Sequence, residues 1–157
     1  MGRRARQAGT RASADAGASP VRSAGVRGAD PCPCGTGASF ATCCEPIHDG
    51  RVAPTAEALM RSRYSAFAVG DEDHIFRTWH PRTRPPGPYC HPGTQWLGLR
   101  IEEVVAGQAD DEAGIVEFTA RYRAVDGRGG IAVDELRERS RFVRRAGRWL
   151  YLEALPR

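Results

Sequence analysis

The chain contains no lysine; all 23 residues of its combined lysine and arginine count are arginine. That uniformity reads as the compositional habit of a GC-rich coding sequence, not as a functional selection of guanidinium groups. Nowhere do about eighteen apolar residues run together, which excludes a membrane-spanning helix. The first thirty residues hold no large aromatic and no apolar block of the kind a secretory leader needs, so a reducing cytoplasm is the expected compartment. No internal repeat is visible. With 157 residues, 41% apolar and 27% charged, the chain can bury one ordinary core, and one main domain is expected.

A net charge of +4 suggests nucleic acid until it is located. Residues 1–30 carry Arg3, Arg4, Arg6, Arg11, Arg22 and Arg27 against Asp15 and Asp30, which accounts for the whole excess. This stretch, rich in Gly, Ala, Ser and Arg, is expected to be a disordered tail or a leader from a misassigned start. It could touch phosphate only weakly and in a salt-dependent way. The neutral body offers no basic groove with interleaved aromatics, so nucleic acid is not the expected partner.

Four of the five cysteines fall within thirteen residues: Cys32, Cys34, Cys43 and Cys44. Two thiolates one residue apart, then eight residues, then two adjacent thiolates is a spacing that can wrap a tetrahedral ion. Gly35 and Gly37 permit the tight turn after the first pair. A closed four-sulfur set has no open position, which is the pattern of a structural zinc and not of a catalytic one. Between Pro31 and Gly50 the only bulky apolar residues are Phe40 and Ile47, too few to offset the ordering of about twenty residues. Zinc contributes roughly 10–16 kcal/mol in such peptides, so metal binding and local folding are expected to be one event. A disulfide or redox use of the same thiols is the rival reading, and His48 is a reserve fourth ligand. Cys90, with His91 beside it in a proline-rich loop, reads as an ordinary thiol, since sequence neighbours seldom have nucleophile–base geometry.

After the knuckle, Thr55 reads as the N-cap of a helix running to Val69 and stopped by Gly70, with Glu57 placed against the helix dipole. Leu59, Met60, Tyr64 and Phe67 share one face, and Arg63 falls inside that stripe. Asp71 caps a shorter helix through Ile75, Phe76 and Trp79, ending near His80 because Pro81 follows. A proline-dense loop occupies Pro81 to Pro92. From Gln95 the period becomes two. Leu97, Leu99 and Ile101 mark a first strand, and Val116, Phe118, Ala120 and Tyr122 the inner face of a second. Leu136 to Arg144 forms a third, and Arg148 to Glu153 a fourth, across a turn at Ala146 and Gly147. Helices followed by consecutive antiparallel strands predict an α+β fold, helices on one side of a bent sheet.

In the third strand Leu136, Glu138, Ser140 and Phe142 share the core-facing side. An unpaired inward carboxylate would be costly, so Glu138 is expected to pair with Arg63, with Tyr64 or His80 adding a hydrogen bond. On the last strand Leu150 and Leu152 lie opposite Trp149 and Tyr151. Both faces are then apolar, which suggests a covered sheet and a homodimer.

The run Cys32-Pro33-Cys34-Gly35-Thr36-Gly37 to Cys43-Cys44 resembles the SEC-C motif, the zinc knuckle known from the carboxyl end of the SecA translocation ATPase. Together with Leu59-Met60-Arg61-Ser62-Arg63-Tyr64, Thr78-Trp79-His80-Pro81 and Glu138-Arg139-Ser140-Arg141-Phe142, it resembles the YchJ family over residues 31–155. The resemblance implies a SEC-C knuckle over 31–50 and, over 54–155, a nuclear transport factor 2-like domain: a bent antiparallel sheet wrapped by helices into a cone. SEC-C knuckles commonly carry lysines between the cysteine pairs, where this chain has Ala38, Ser39, Ala41 and Thr42. Many relatives also have a second knuckle near the carboxyl end, Asp-Gly in place of Glu153 and Ala154, and a histidine near Arg137.

Two functions fit these residues. One is a metal-stabilised adaptor whose knuckle docks a protein partner. The other is a pocket protein, small-molecule binder or enzyme, using Arg63, Tyr64, His80 and Glu138 in the cone. The fold alone does not choose between them.

Overall fold

A computed structural model describes residues 25–157, so the expected basic tail lies, as far as residue 24, outside the described residues. Ordered packing begins ahead of the first cysteine. Val26 packs on the core, the Gly28 carbonyl accepts from Ala41 N at 2.9 Å, and the Asp30 carbonyl accepts from Phe40 N at 2.9 Å. The knuckle follows, with a 3-10 turn at Phe40–Thr42 and a one-turn helix α1 at Glu45–His48. Gly35 and Gly37 take φ of 81° and 87°, the left-handed conformation that the tight turn requires.

Helix α2 spans Ala56–Val69. Thr55 caps it, accepting from Ala58 N at 3.1 Å, and Gly70 ends it in the left-handed region. Leu59, Met60 and Tyr64 are buried as the stripe predicts, and Arg63 is buried with them. Helix α3 spans Glu72–Thr78, capped by the Asp71 side chain, and stops one residue before Trp79, whose backbone is extended ahead of His80 and Pro81. Phe76, read as part of this helix's apolar set, is 46% exposed, and the Arg84 guanidinium lies over its ring at 3.7 Å. Among the described residues no helix is long and apolar enough to cross a membrane.

Four strands, β1 Thr94–Ala106, β2 Ala113–Val125, β3 Ile131–Arg145 and β4 Arg148–Ala154, form one antiparallel sheet in sequential order. Three helices pack on this open sheet, which is the α+β architecture the sequence predicts. Val116, Phe118 and Ala120 of β2, Phe142 of β3 and Trp149 of β4 form the sheet's side of the core. The strict alternation expected in β1 fails at Leu97, where a register shift between Trp96 and Gly98 inserts an extra residue. Trp96, not Leu97, joins Leu99 and Ile101 on the core, and Leu97 is left exposed. Another shift, between Arg141 and Phe142 against β4, falls at Leu152, whose side chain is buried. Leu150 is half-buried. The outer face of the central strands is an ion lattice. Arg137 and Arg139 both reach Glu117, at 3.0 and 3.1 Å, and Arg139 also pairs with Glu103.

The helix is fixed across the sheet by a close approach. Ala56 N donates to Gly107 O at 2.9 Å, and a Cβ on Gly114 would lie 2.5 Å from Gly107 Cα and 3.2 Å from Ala56 Cβ. Gly114→Ala is therefore expected to cost roughly 1–3 kcal/mol in urea unfolding through overpacking against backbone. Gly127→Ala, whose added Cβ meets nothing within 4 Å, is the control and should be near neutral.

His74 of α3 is buried beneath the knuckle, its ring centroid 4.5 Å from that of His48, with Ser62 Oγ 3.0 Å from its Nε2. Burial first, and then the charges of His48, Arg63 and Arg77, push it down to about 3. A folded-state pKa below the unfolded one favours the neutral ring, so this stability is complete above pH ~6.5 and is lost progressively as pH falls toward 3. Between pH 7 and 5 the effect is about 2 kcal/mol. His74→Gln should flatten the pH dependence of the urea midpoint by that order, and an unchanged slope would refute the assignment.

Candidate functional site

Two sites meet on α2. The first is the cysteine cluster. The sulfur atoms of Cys32, Cys34, Cys43 and Cys44 all lie within 4.8 Å of one another, and three of the four residues are buried. Cys34 Sγ stands 3.5 Å from Cys43 Sγ, and Cys43 Sγ stands 3.9 Å from Cys44 Sγ. Four sulfurs held tetrahedrally about 2.3 Å from a zinc ion would be separated by about 3.8 Å. A disulfide needs about 2.05 Å, so the arrangement fits a caged cation and not a pair of bridges.

Electrostatics agree with that fit. Hydrogen bonds from Cys32 and Cys44 stabilise Cys34 as a thiolate and hold its pKa far below the ordinary thiol value. Burial, together with the neighbouring sulfurs, pushes Cys43 up to about 11, and hydrogen bonding with Cys32 and Cys34 raises Cys44 further still. Four thiols this close cannot all ionise unless a cation sits among them.

The knuckle is bolted to α2. Cys32 Sγ lies 3.5 Å from Ser65 Oγ, Arg61 Nη1 donates to Cys34 O at 2.9 Å, and His48 Nε2 lies 2.7 Å from Ser62 O. His48 is engaged with α2 and, through Nδ1, with Asp71 Oδ2 at 3.5 Å, so it is not one of the gathered ligand atoms. Cys32, Cys34, Cys44 and Phe40 belong to the same core cluster as Leu59, Tyr64 and Phe142. Knuckle and cone therefore share one hydrophobic core.

The second site is a cavity of about 250 Å³ between α2, the core-facing side of the sheet and the loop after α3. Seven of the chain's twelve aromatic side chains line it, with Arg63, Glu138 and Ser140 among them. Arg63 and Glu138 thus face one space, but among the described residues no ion pair within 4.0 Å joins them. Arg63 Nη1 donates to Thr78 Oγ1 at 2.7 Å and to Ile75 O at 3.2 Å. Its guanidinium lies over the rings of Tyr151 and Trp79, at 4.8 and 5.1 Å. Glu138 accepts from Ser140 Oγ at 2.7 Å and from Tyr151 OH at 2.9 Å. Tyr151 is therefore the link, its face toward the cation and its hydroxyl on the carboxylate. Burial lowers Arg63 to about 10, with Tyr151 and Glu138 opposing the shift, and it remains a cation at neutral pH.

Neither expected helper joins this network. Tyr64 lines the cavity as an apolar wall, edge-on to Trp96 at 5.9 Å, and burial pushes its hydroxyl up to about 12. His80 contributes backbone, donating to Tyr151 O at 2.8 Å, while its Nδ1 accepts from Arg82 N at 3.1 Å. The loop beyond is tied down by Glu72, whose carboxylate accepts from the amides of Tyr89 and Cys90. Against the burial that opposes ionisation, those two amides hold Glu72 below the ordinary carboxylate range. Burial and the nearby Glu72 charge push the Cys90 thiol up to about 12.

Ser62, Ser65, His74 and Thr78 are buried polar residues of this assembly that periodicity did not single out. The signal available was their spacing. Ser62 and Ser65 sit three residues apart on the helix face beside Arg61, where a second docking surface would lie.

The comparisons with known proteins follow the same division. The YchJ middle NTF2-like domain matches residues 55–154, and the SEC-C motif matches residues 29–46. A UPF0225 protein of Deinococcus radiodurans is 50% identical over 125 residues, covering 79% of this chain and 88% of the relative. One from Streptomyces coelicolor is 49% identical over 124 residues, covering 78% and 93%. Among solved structures, the solution structure of a SEC-C motif-containing protein from Rhodopseudomonas palustris superimposes with a TM-score of 0.69 at 33% identity, covering 82% of this chain and 99% of the other. A crystal structure of a SEC-C motif-containing protein from Psychrobacter arcticus gives 0.60 at 25% identity, covering 80% and 82%. With its cone domain and its cysteine knuckle both matched, the chain belongs to the YchJ family, whose relatives are called UPF0225 proteins.

Proposed function

We propose that this protein is a zinc-braced small-molecule binder. A structural zinc held by Cys32, Cys34, Cys43 and Cys44 locks the knuckle onto α2, and the cone cavity receives a ligand of metabolite size. The observation that carries this reading is the convergence of most of the chain's aromatic rings with a buried cation and a carboxylate on one cavity. An open cleft lined mainly by aromatic side chains, with a few convergent polar groups, has the composition of a ligand site.

An adaptor role for the knuckle is the second reading. Val52, 44% exposed beside Ile47 and Cys43, supports it. The knuckle's inner face, however, is occupied by α2 and is not free for a partner. A homodimer through the sheet would use Val125, Ile131 and Val133, which are 62, 72 and 53% exposed at the far end of the β2–β3 hairpin. Leu152 is buried within the chain, and Leu150 is half-buried.

The metal half is tested by elemental analysis of anaerobically purified full-length protein. One zinc per chain is expected, lost in the Cys43→Ser, Cys44→Ser double variant. Because knuckle and cone share one core, chelation should lower the Tm of the whole domain by at least about 5 °C. Metal-free protein with freely alkylated thiols would overturn this half. The cavity half is tested with neutral indole as probe, followed by NMR. Saturable shifts are expected at the Ala120 methyl and the Trp96 indole, and they should vanish in Ala120→Phe, which fills the space. Shifts that do not saturate, or that persist in Ala120→Phe, would refute a binding cavity.

A further inference from the structure

Arg63 is the anomaly of the cavity. It is 4% exposed, it carries a charge, and among the described residues no carboxylate lies within 4.0 Å of it. A buried guanidinium ordinarily has a bonded counter-charge, because removing it from water is costly unless it is paired and hydrogen-bonded. Here the protein supplies only neutral partners, Thr78 Oγ1 and Ile75 O, and both fall on Nη1. Nε and Nη2 have no protein acceptor among the described residues, yet neither is among the sealed, unpartnered buried atoms. The free edge of the fork therefore opens on the cavity that Arg63 lines.

The surroundings decide which ligand would satisfy that edge. Arg63 already covers the rings of Trp79 and Tyr151, so the aromatic surface that could cradle a cationic ligand holds the protein's own cation. Glu138, the one carboxylate in the wall, accepts from Ser140 and Tyr151, and its charge acts on Arg63 only at longer range. The remaining wall is mostly apolar, with His91 and Thr94 as its other polar members. Trp96 is flanked by Tyr64 at 5.9 Å and Phe67 at 6.2 Å, and Phe118 lines the same cavity, a set of rings suited to a flat body. A two-oxygen anion matches the two free nitrogens of a planar fork better than any neutral group does.

We infer that the ligand class of this cavity is a small aromatic carboxylic acid, its carboxylate bidentate on the free edge of Arg63 and its ring against Trp96 and Phe118. This inference rests on the cavity reading and sharpens it, and one set of probes separates the two. Full-length, zinc-loaded protein is titrated with indole, indole-3-acetate, indole-3-acetamide and tryptamine, following tryptophan fluorescence and NMR shifts at Ala120. The acid and the amide share shape and differ in charge. Indole-3-acetate should bind roughly ten- to a hundred-fold more tightly than the amide, as a charge-assisted bond replaces a neutral one. Tryptamine should be the weakest. In Arg63→Met the acid's advantage over the amide should collapse while indole binding persists.

Equal affinities for acid and amide, or a preference for tryptamine, would overturn the carboxylate inference and leave the cavity standing if indole still binds. Failure of all four probes would overturn both. Should Arg63→Met not fold, as judged by its thermal melt, the ratio of acid to amide in the unaltered protein decides the matter alone.

Discussion

The seam between the knuckle and α2 is the interaction on which the rest of this structure depends. Across it run the Arg61–Cys34 carbonyl bond, the Cys32–Ser65 contact and the His48–Ser62 contact. Each is modest alone, about 1 kcal/mol net where well formed. Their effect is geometric. Residues 61, 62 and 65 hold the knuckle on one side of the helix, while Met60, Arg63, Tyr64 and Phe67 line the cavity from the other. One fourteen-residue helix thus forms the wall between a sulfur cage and a ligand-sized space. Anything that loosens the cage frees the wall.

That sharing explains why polar side chains crowd into a small domain's interior. Ser62, Ser65 and Ser140 are fully buried, and His74 almost so. Where two layers pack on opposite faces of one helix, neither face is left to water, and an all-apolar helix of this length would have no preferred rotation. Small hydroxyls that bond helix carbonyls or a neighbouring ring fix that rotation at low volume. Ser62 Oγ does so toward Leu59 O at 2.8 Å and His74 Nε2 at 3.0 Å. This is the specificity role best attested for buried polar groups.

Much of this was legible in the sequence, and the illegible parts have common causes. Helix α2 announced both ends through Thr55 and Gly70 and its inner face through Leu59, Met60 and Tyr64, because caps and period are local properties. Arg63 stood out as a charge inside an apolar stripe, and Glu138 as an acid on an inward strand face. Their shared cavity follows from those two facts plus the fold. Their lack of contact does not, since it depends on the ring of Tyr151 filling the gap, a tertiary distance that no periodicity encodes. Leu97 and Leu152 were misplaced for a different reason. A period of two assumes an unbroken ladder, and each residue sits at a bulge that shifts the faces by one. His74 was invisible because a histidine on a short charged helix looks solvated until a second layer covers it, and the layer that does so is the cysteine knuckle.

The energetics of Arg63 then bear on why the cone is hollow. Replacing a buried ion pair with apolar residues of similar volume is often neutral or stabilising, so a lone buried cation is a still weaker device for stability. The same helix position could hold leucine or methionine and extend the stripe formed by Leu59, Met60 and Tyr64. Larger side chains in the cleft would stabilise as well, by covering more of the rings that line it. Two opportunities for stability are thus left unused at one place, and they are the two features a recognition site needs: room, and an unmet charge at its wall. Strain or accident could account for either feature separately. Their coincidence on the inner face of α2, with the opposite face fixed by a sulfur cage, is what a preorganised binding site requires, because a ligand gains most from a wall already held in position.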